Sequence, residues 1–139
     1  MPDLHLSTDT GLADVLGIEF ETIEPERAVA TMPVTPRHHQ PFGYLHGGAT
    51  VALAETVASV GATTAALPEK VAFGLEINAN HVRPVREGTL RAVGERLYAG
   101  RTTQVWEVRV FDERERLICV SRCTLALVDP KSGPSGETR

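Results

Sequence analysis

The stretch from Gly47 to Leu67 constrains this chain most: it is built from Gly, Ala, Val, Thr, Ser and Leu, with a single charge, Glu55. Gly47-Gly48 stands at its start and Pro68 just beyond its end, so it predicts one helix of about twenty residues. A helix apolar on nearly all sides is a buried one. At 1.5 Å per residue it is about 30 Å long, the span of a small domain. A membrane-crossing role fits poorly, because Glu55 interrupts the run and Ala, Thr and Gly dominate it.

The pattern on either side is that of strands. Ser7 to Asp9 offer helix caps, and Leu12, Val15 and Leu16 follow at helical spacing, which predicts a short first helix ending near Leu16. Residues 18–24 and 27–34 read as two strands; in the second, Ala28, Ala30 and Met32 alternate with Val29, Thr31 and Pro33. Residues 35–46, punctuated by Pro36, Pro41 and Gly43, read as a loop. After Pro68, residues 71–83 alternate so that Val71, Phe73, Leu75, Ile77 and Ala79 share one face. Residues 88–99, 103–111 and 116–128 are three further strands, joined by links short enough for antiparallel hairpins. The expectation is an α+β domain over residues 1–129. Two early strands and a four-stranded meander form an antiparallel sheet wrapped around the long helix. Residues 130–139 are Pro, Gly, Ser and charge, and are expected to be a disordered tail.

Composition narrows the function classes. A chain of 139 residues, 42% apolar and 23% charged, fits one globular domain with a real core. A net charge of -4 argues against a general nucleic-acid binder, while leaving room for a local basic patch facing an anionic ligand. Cys119 and Cys123, four apart on one strand, lie about 13 Å from each other, too far for a disulfide. They read as small buried hydrophobes in a reducing cytosol. Met1 to His5 lack the basic start and apolar run of a signal peptide, so a cytoplasmic protein without a membrane segment is expected. His38 and His39 point opposite ways on an extended segment, and no zinc-type cysteine spacing accompanies them. Neither a metal nor a cofactor is called for.

Three clusters carry chemistry. Glu55 is the only formal charge between His38 and Pro68. Burying an unpaired carboxylate costs several kcal/mol, so it needs either a structural partner or a task as base or nucleophile. The segment from Gln40 through Phe42, Tyr44 and His46 to Gly47-Gly48 ends at a helix start whose free N–H groups suit a developing oxyanion. It also reads as a turn that needs glycine for packing. Gly47 and Glu55 are eight residues apart, about 12 Å along the helix axis, so they cannot serve one carbonyl from the same chain. If both are catalytic, the protein is a two-fold dimer with composite sites. Ser59, one turn beyond Glu55, either positions water or the carboxylate, or back-bonds to its own helix. In the third cluster, Asn78 to Pro84, His81 and Arg83 make an apolar strand face polar at its end, as at a pocket mouth or at a strand emerging into solvent. Arg83 and Arg101, less so Arg86, are candidates for holding phosphates, although each taken alone reads first as a solvated surface charge.

The run Gln40-Pro41-Phe42-Gly43, then Leu45-His46-Gly47-Gly48-Ala49, then Leu53-Ala54-Glu55, then Gly74-Leu75-Glu76-Ile77-Asn78-Ala79-Asn80-His81-Val82-Arg83, resembles the hotdog-fold thioesterases. It is most like the branch with Arthrobacter-type 4-hydroxybenzoyl-CoA thioesterase and the 1,4-dihydroxy-2-naphthoyl-CoA hydrolases. It is more distantly similar to the phenylacetate-pathway (PaaI-like) thioesterases, from which Glu rather than Asp at position 55 separates it. The resemblance covers about residues 10–128 and implies hydrolysis of an acyl-CoA, aromatic or medium-chain, by a dimer that pairs into a tetramer. It implies Glu55 as nucleophile or general base, the Gly47 amide as oxyanion donor, Gln40 and His46 as polar groups at the thioester, and Ser59 as a hydroxyl assisting water. It further implies an acyl-CoA site lined by Gly74, by His81, Val82, Arg83 and Pro84, and by Tyr98, Ala99, Gly100, Arg101, Thr102 and Thr103. Phe42, Tyr44 and Val60 border the acyl group in a looser correspondence. A hydratase or dehydratase of acyl thioesters, and a non-catalytic acyl-CoA-binding module, are the rival readings.

Overall fold

Chain order in the computed structural model, which describes residues 9–130, is α1 (Gly11–Leu16), β1 (Glu19–Glu24), β2 (Arg27–Val34), a 3-10 turn (Pro36–His38), α2 (Gly47–Ala66), β3 (Val71–His81), β4 (Gly88–Ala99), β5 (Thr103–Phe111) and β6 (Leu117–Val128). α2 is the predicted helix. His46 caps it, its Nδ1 accepting the Gly48 N–H at 2.8 Å, and the chain leaves the helix at Leu67. Its buried stripe is Thr50, Leu53, Ala54, Val57, Ala58, Gly61 and Ala62, spaced by three and four. The expectation of burial all round fails on the opposite side. Val51, Ala52, Glu55, Thr56, Ser59 and Val60 are only half-buried, because one sheet covers one side of the helix.

Small residues set how closely helix and sheet approach. A Cβ on Gly61 would overlap the ring of Trp106, which is fully buried and donates its Nε1–H to Gln104 Oε1 at 2.8 Å. Gly94 makes the same kind of room for Val57.

All six strands pair antiparallel in the order β1-β2-β4-β5-β6-β3. The predicted four-stranded meander is therefore wrong in one member. β4 takes β2 as its second neighbour, setting Ala28, Ala30 and Met32 opposite Gly94, Ala92 and Leu90, and β3 goes to β6 at the far edge. Hairpin links fix β4-β5-β6 as neighbours, but say nothing of where β3 pairs.

The shared face predicted for β3 is also corrected. A bulge between Gly74 and Glu76 shifts the register, so Gly74 pairs with Leu125 while Ile77 pairs with Cys123. Ala72, Gly74, Ile77, Ala79 and His81 thus share the inner side. Phe73 and Leu75, expected inside, are 42% and 63% exposed. β3 ends at His81, so Arg83 lies beyond the strand.

At the N-terminus the cap is Thr10, without a side-chain hydrogen bond, and Leu12 and Val15 are exposed. Ser7, Thr8 and the predicted tail from residue 131 lie outside the described residues. Among those described, no helix is long and apolar enough to cross a membrane. His38 is buried and locks the loop after β2: its Nδ1 accepts from the Thr35 N–H at 3.1 Å, and its Nε2 meets Leu16 O at 2.8 Å.

Candidate active site

The predicted residues fall into two groups at opposite ends of β3. The first surrounds Glu55. A Cβ on Gly74 would overlap Glu55 Oε2, so the carboxylate rests against the bare backbone of β3. Among the described residues the Glu55 carboxylate has no hydrogen bond or ion pair, and Glu55 is half-buried rather than sealed. Beneath it lies Cys123, whose thiol is pushed up to about 12, first by burial and then by the charges of Glu55 and Glu76. Burial likewise raises Cys119. Both thiols are free and uncharged, as a core position requires. Ser59, one turn along α2, takes no hydrogen-bond partner among the described residues, so it does not back-bond, whereas Thr56 does, to Ala52 O at 2.7 Å.

The β4–β5 turn belongs to this end. Thr103 pairs with Ala126 of β6, and Ala126 in turn with Phe73, next to Gly74. Gly100 N–H closes the turn on Thr103 O at 2.8 Å, Leu127 N–H bonds Thr102 O at 2.9 Å, and a Cβ on Gly100 would meet the Tyr98 hydroxyl at 2.6 Å. Tyr98 and Arg101 are exposed.

The second group surrounds Gly47. A cavity of about 430 Å³ is lined by Gln40, Tyr44, Gly47, Thr50, the run His81 to Val85, and Ile118. Both glycines of the pair are needed for packing: a Cβ on Gly47 would meet the His81 ring at 2.9 Å, and one on Gly48 the His46 ring at 2.9 Å. Gly47 has a further property. The Gly48 N–H is held by His46 Nδ1, and those of Ala49 and Thr50 by His46 O, which leaves the Gly47 N–H without an acceptor among the described residues. Gln40 folds back, its Oε1 accepting the N–H groups of Phe42 at 2.5 Å and Tyr44 at 3.3 Å, so its own amide hydrogens stay available. His46 is committed as the cap through Nδ1 and presents only Nε2. Arg83 is exposed and without an ion pair among the described residues. Arg86 instead lies over the Tyr44 ring, 4.9 Å from its centre.

One wall residue was not foreseen. Thr50 is fully buried and its Oγ1 has no hydrogen-bond partner among the described residues. An unpaired buried hydroxyl costs about 1–3 kcal/mol. Its only signal in the sequence is its place one turn after Gly47. A larger cavity, about 500 Å³, lies elsewhere, between Thr31, Arg91, Phe111 and Asp112, where Asp112 is tied up by Arg114 and Arg116. None of the predicted site residues lines it.

Gly74 and His81 are seven positions apart on β3, about 20 Å. No single chain brings Glu55 to the Gly47 amide. Replacing Gly74 by alanine tests what its bare backbone does. The new Cβ must displace the flexible carboxylate of Glu55, so kcat is expected to fall by about 10–100-fold while the melting temperature stays within a few degrees of native. Steady-state kinetics beside thermal melts check both.

Residues 42–119 match the thioesterase superfamily. The 1,4-dihydroxy-2-naphthoyl-CoA hydrolase of Listeria monocytogenes is 49% identical over 117 residues, 84% of this chain and 95% of that protein. Its namesake from Escherichia coli is 46% identical over 125 residues, 90% of this chain and 92% of that one. Among solved structures, a thioesterase from Haemophilus influenzae superposes with a TM-score of 0.84 at 43% identity, covering 88% of this chain and 85% of its own. The six-stranded antiparallel sheet around one long helix is the architecture those structures share, and the chain belongs to the thioesterase superfamily, with the hotdog fold.

Proposed function

We propose that this protein hydrolyses an acyl-CoA thioester, releasing the free acid and coenzyme A, at two sites each assembled from two chains. The observation that carries the reading is the split itself. Glu55 stands at one end of β3 and the free Gly47 amide at the other. The outer edge of β3 has no strand partner among the described residues, and it exposes Phe73 and Leu75. Antiparallel pairing of β3 with its copy about a two-fold axis between Gly74 and His81 covers that edge. It also sets Glu55 of one chain against Gly47 of the other, which one chain alone cannot do.

In such a site the thioester oxygen takes the Gly47 N–H, and Gln40 offers its free amide hydrogens beside it. The carboxylate of Glu55 attacks the carbonyl carbon, or deprotonates a water that does so, with Ser59 positioning that water. In the water route the water oxygen adds to the carbonyl carbon, the C–S bond breaks, the thiolate of coenzyme A leaves and takes up a proton, and that oxygen ends in the acid. In the nucleophile route the C–S bond breaks to leave a mixed anhydride on Glu55, which a water then hydrolyses to the free acid and the restored carboxylate. Arg83 and the Arg101 turn meet the phosphates of coenzyme A. An aromatic acyl group is favoured, because the two hydrolases that match over most of their length are named for a naphthoyl thioester.

Turnover of a panel of aroyl-, medium-chain and enoyl-CoA esters tests this, with free thiol as the readout. Thiol release from the aroyl esters above the medium-chain ones is expected. Hydration of the enoyl ester without thiol release, or tight binding with no product, would overturn it.

A further inference from the structure

α2 has two buried threonines, Thr50 and Thr63, and only the hydroxyl of Thr63 is paired among the described residues. Thr63 Oγ1 accepts the Ala72 N–H at 3.1 Å. Thr50 differs: it is 0% exposed, and its hydroxyl is the buried side-chain group without a partner among the described residues. The back-bond open to a helical threonine is unused: His46 O, four residues earlier, takes the amides of Ala49 and Thr50 and not the Thr50 hydroxyl. Valine would fill the same volume with no unpaired group, so packing does not account for the hydroxyl. What sets Thr50 apart is its position. It is a wall of the cavity that holds Gln40, the free Gly47 amide and His81, and it stands one helical turn from Gly47 on the same side of α2.

We propose that Thr50 is a further substrate-contacting residue, whose hydroxyl donates a hydrogen bond to the acyl thioester oxygen beside the Gly47 amide. The proposal rests on the hydrolase reading above. A donor left unpaired until substrate arrives strengthens as charge develops on that oxygen, which is how an oxyanion donor lowers a barrier. It also implies that the free protein is less stable than it would be without the hydroxyl.

Thr50→Val and Thr50→Ser separate these effects. Thr50→Val is expected to melt at or above the native temperature while kcat for an aroyl-CoA falls by about a hundredfold, the scale for loss of one such donor. KM should change far less. Thr50→Ser, which restores the hydroxyl, should recover kcat to within about threefold of native. Equal kcat in native and Thr50→Val, or equal losses in Thr50→Val and Thr50→Ser, would overturn the proposal. Binding of phenacyl-CoA, a ketone thioether that cannot be hydrolysed, keeps this test apart from that of the hydrolase reading. If the native chain binds it but hydrolyses no ester, the hydrolase reading fails, and the contact stands only if Thr50→Val weakens that binding about tenfold. Equal affinities overturn it.

Discussion

Glu55→Ala is expected to lower kcat for acyl-CoA hydrolysis by about 10³-fold, within the range of 10²–10⁴ for loss of a positioned base. The fold should not suffer. The carboxylate is half-buried, lies against the Gly74 backbone, and has no hydrogen bond or ion pair among the described residues, so its removal breaks no contact that holds the chain together. Glu55→Gln keeps the volume and should lose nearly as much rate, as expected of a carboxylate proposed to act through its charge. Thiol release at saturating substrate, with thermal melts alongside, is the measurement. Rates in both variants equal to native would remove Glu55 from the mechanism, whether as nucleophile or as base. A collapse of melting temperature in step with rate would assign it a structural task instead.

Two inactive variants, mixed, are expected to regain activity. Gly47→Pro deletes the amide hydrogen at a first-turn position where proline is tolerated, and His46 before it already has the extended backbone that a following proline requires, φ -72 and ψ 128. The cost should be about 10²–10³ in kcat, the scale for one oxyanion donor. Its ring carbon must displace the His81 imidazole, so Gly47→Ala, which adds a Cβ but keeps the N–H, is the control. When Gly47→Pro and Glu55→Ala chains are unfolded together and refolded at equal concentration, about half of the proposed dimers should carry one of each, and in the proposed arrangement every mixed dimer has one intact site. Activity should therefore return to about a quarter of native. A site contained in one chain predicts none, so a mixture no more active than its components would overturn the composite site.

Much of this was legible in the residues, and the reasons are particular. The length and apolarity of 47–67 located α2 to within a residue, because glycine and proline bound it. The separation of Gly47 from Glu55 followed from helix rise alone. The place of β3 was not legible. Its neighbour is decided by whether β2 or β3 fits β4 better, and Ala28, Ala30 and Met32 fit opposite Gly94, Ala92 and Leu90. Nor was the inner face of β3, where simple alternation put Phe73 and Leu75 inside. The chain instead turns Ala72 and Gly74 inward, because only a residue without a side chain leaves room for the Glu55 carboxylate. Thr50 escaped notice because a threonine within a helix looks alike whether or not its hydroxyl is paired.

The bulge at Leu75 bears on how this chain can change length. Losing one residue from a strand ordinarily exchanges its inside for its outside from that point on. Here the two residues Leu75 and Glu76 occupy the space of one, between the Gly74–Leu125 and Ile77–Cys123 pairs. Deleting Leu75 would leave Ala72, Gly74, Ile77, Ala79 and His81 still in phase with β6, and Gly74 still under Glu55. β3 thus carries one spare residue, and at that position a deletion straightens the strand without inverting it.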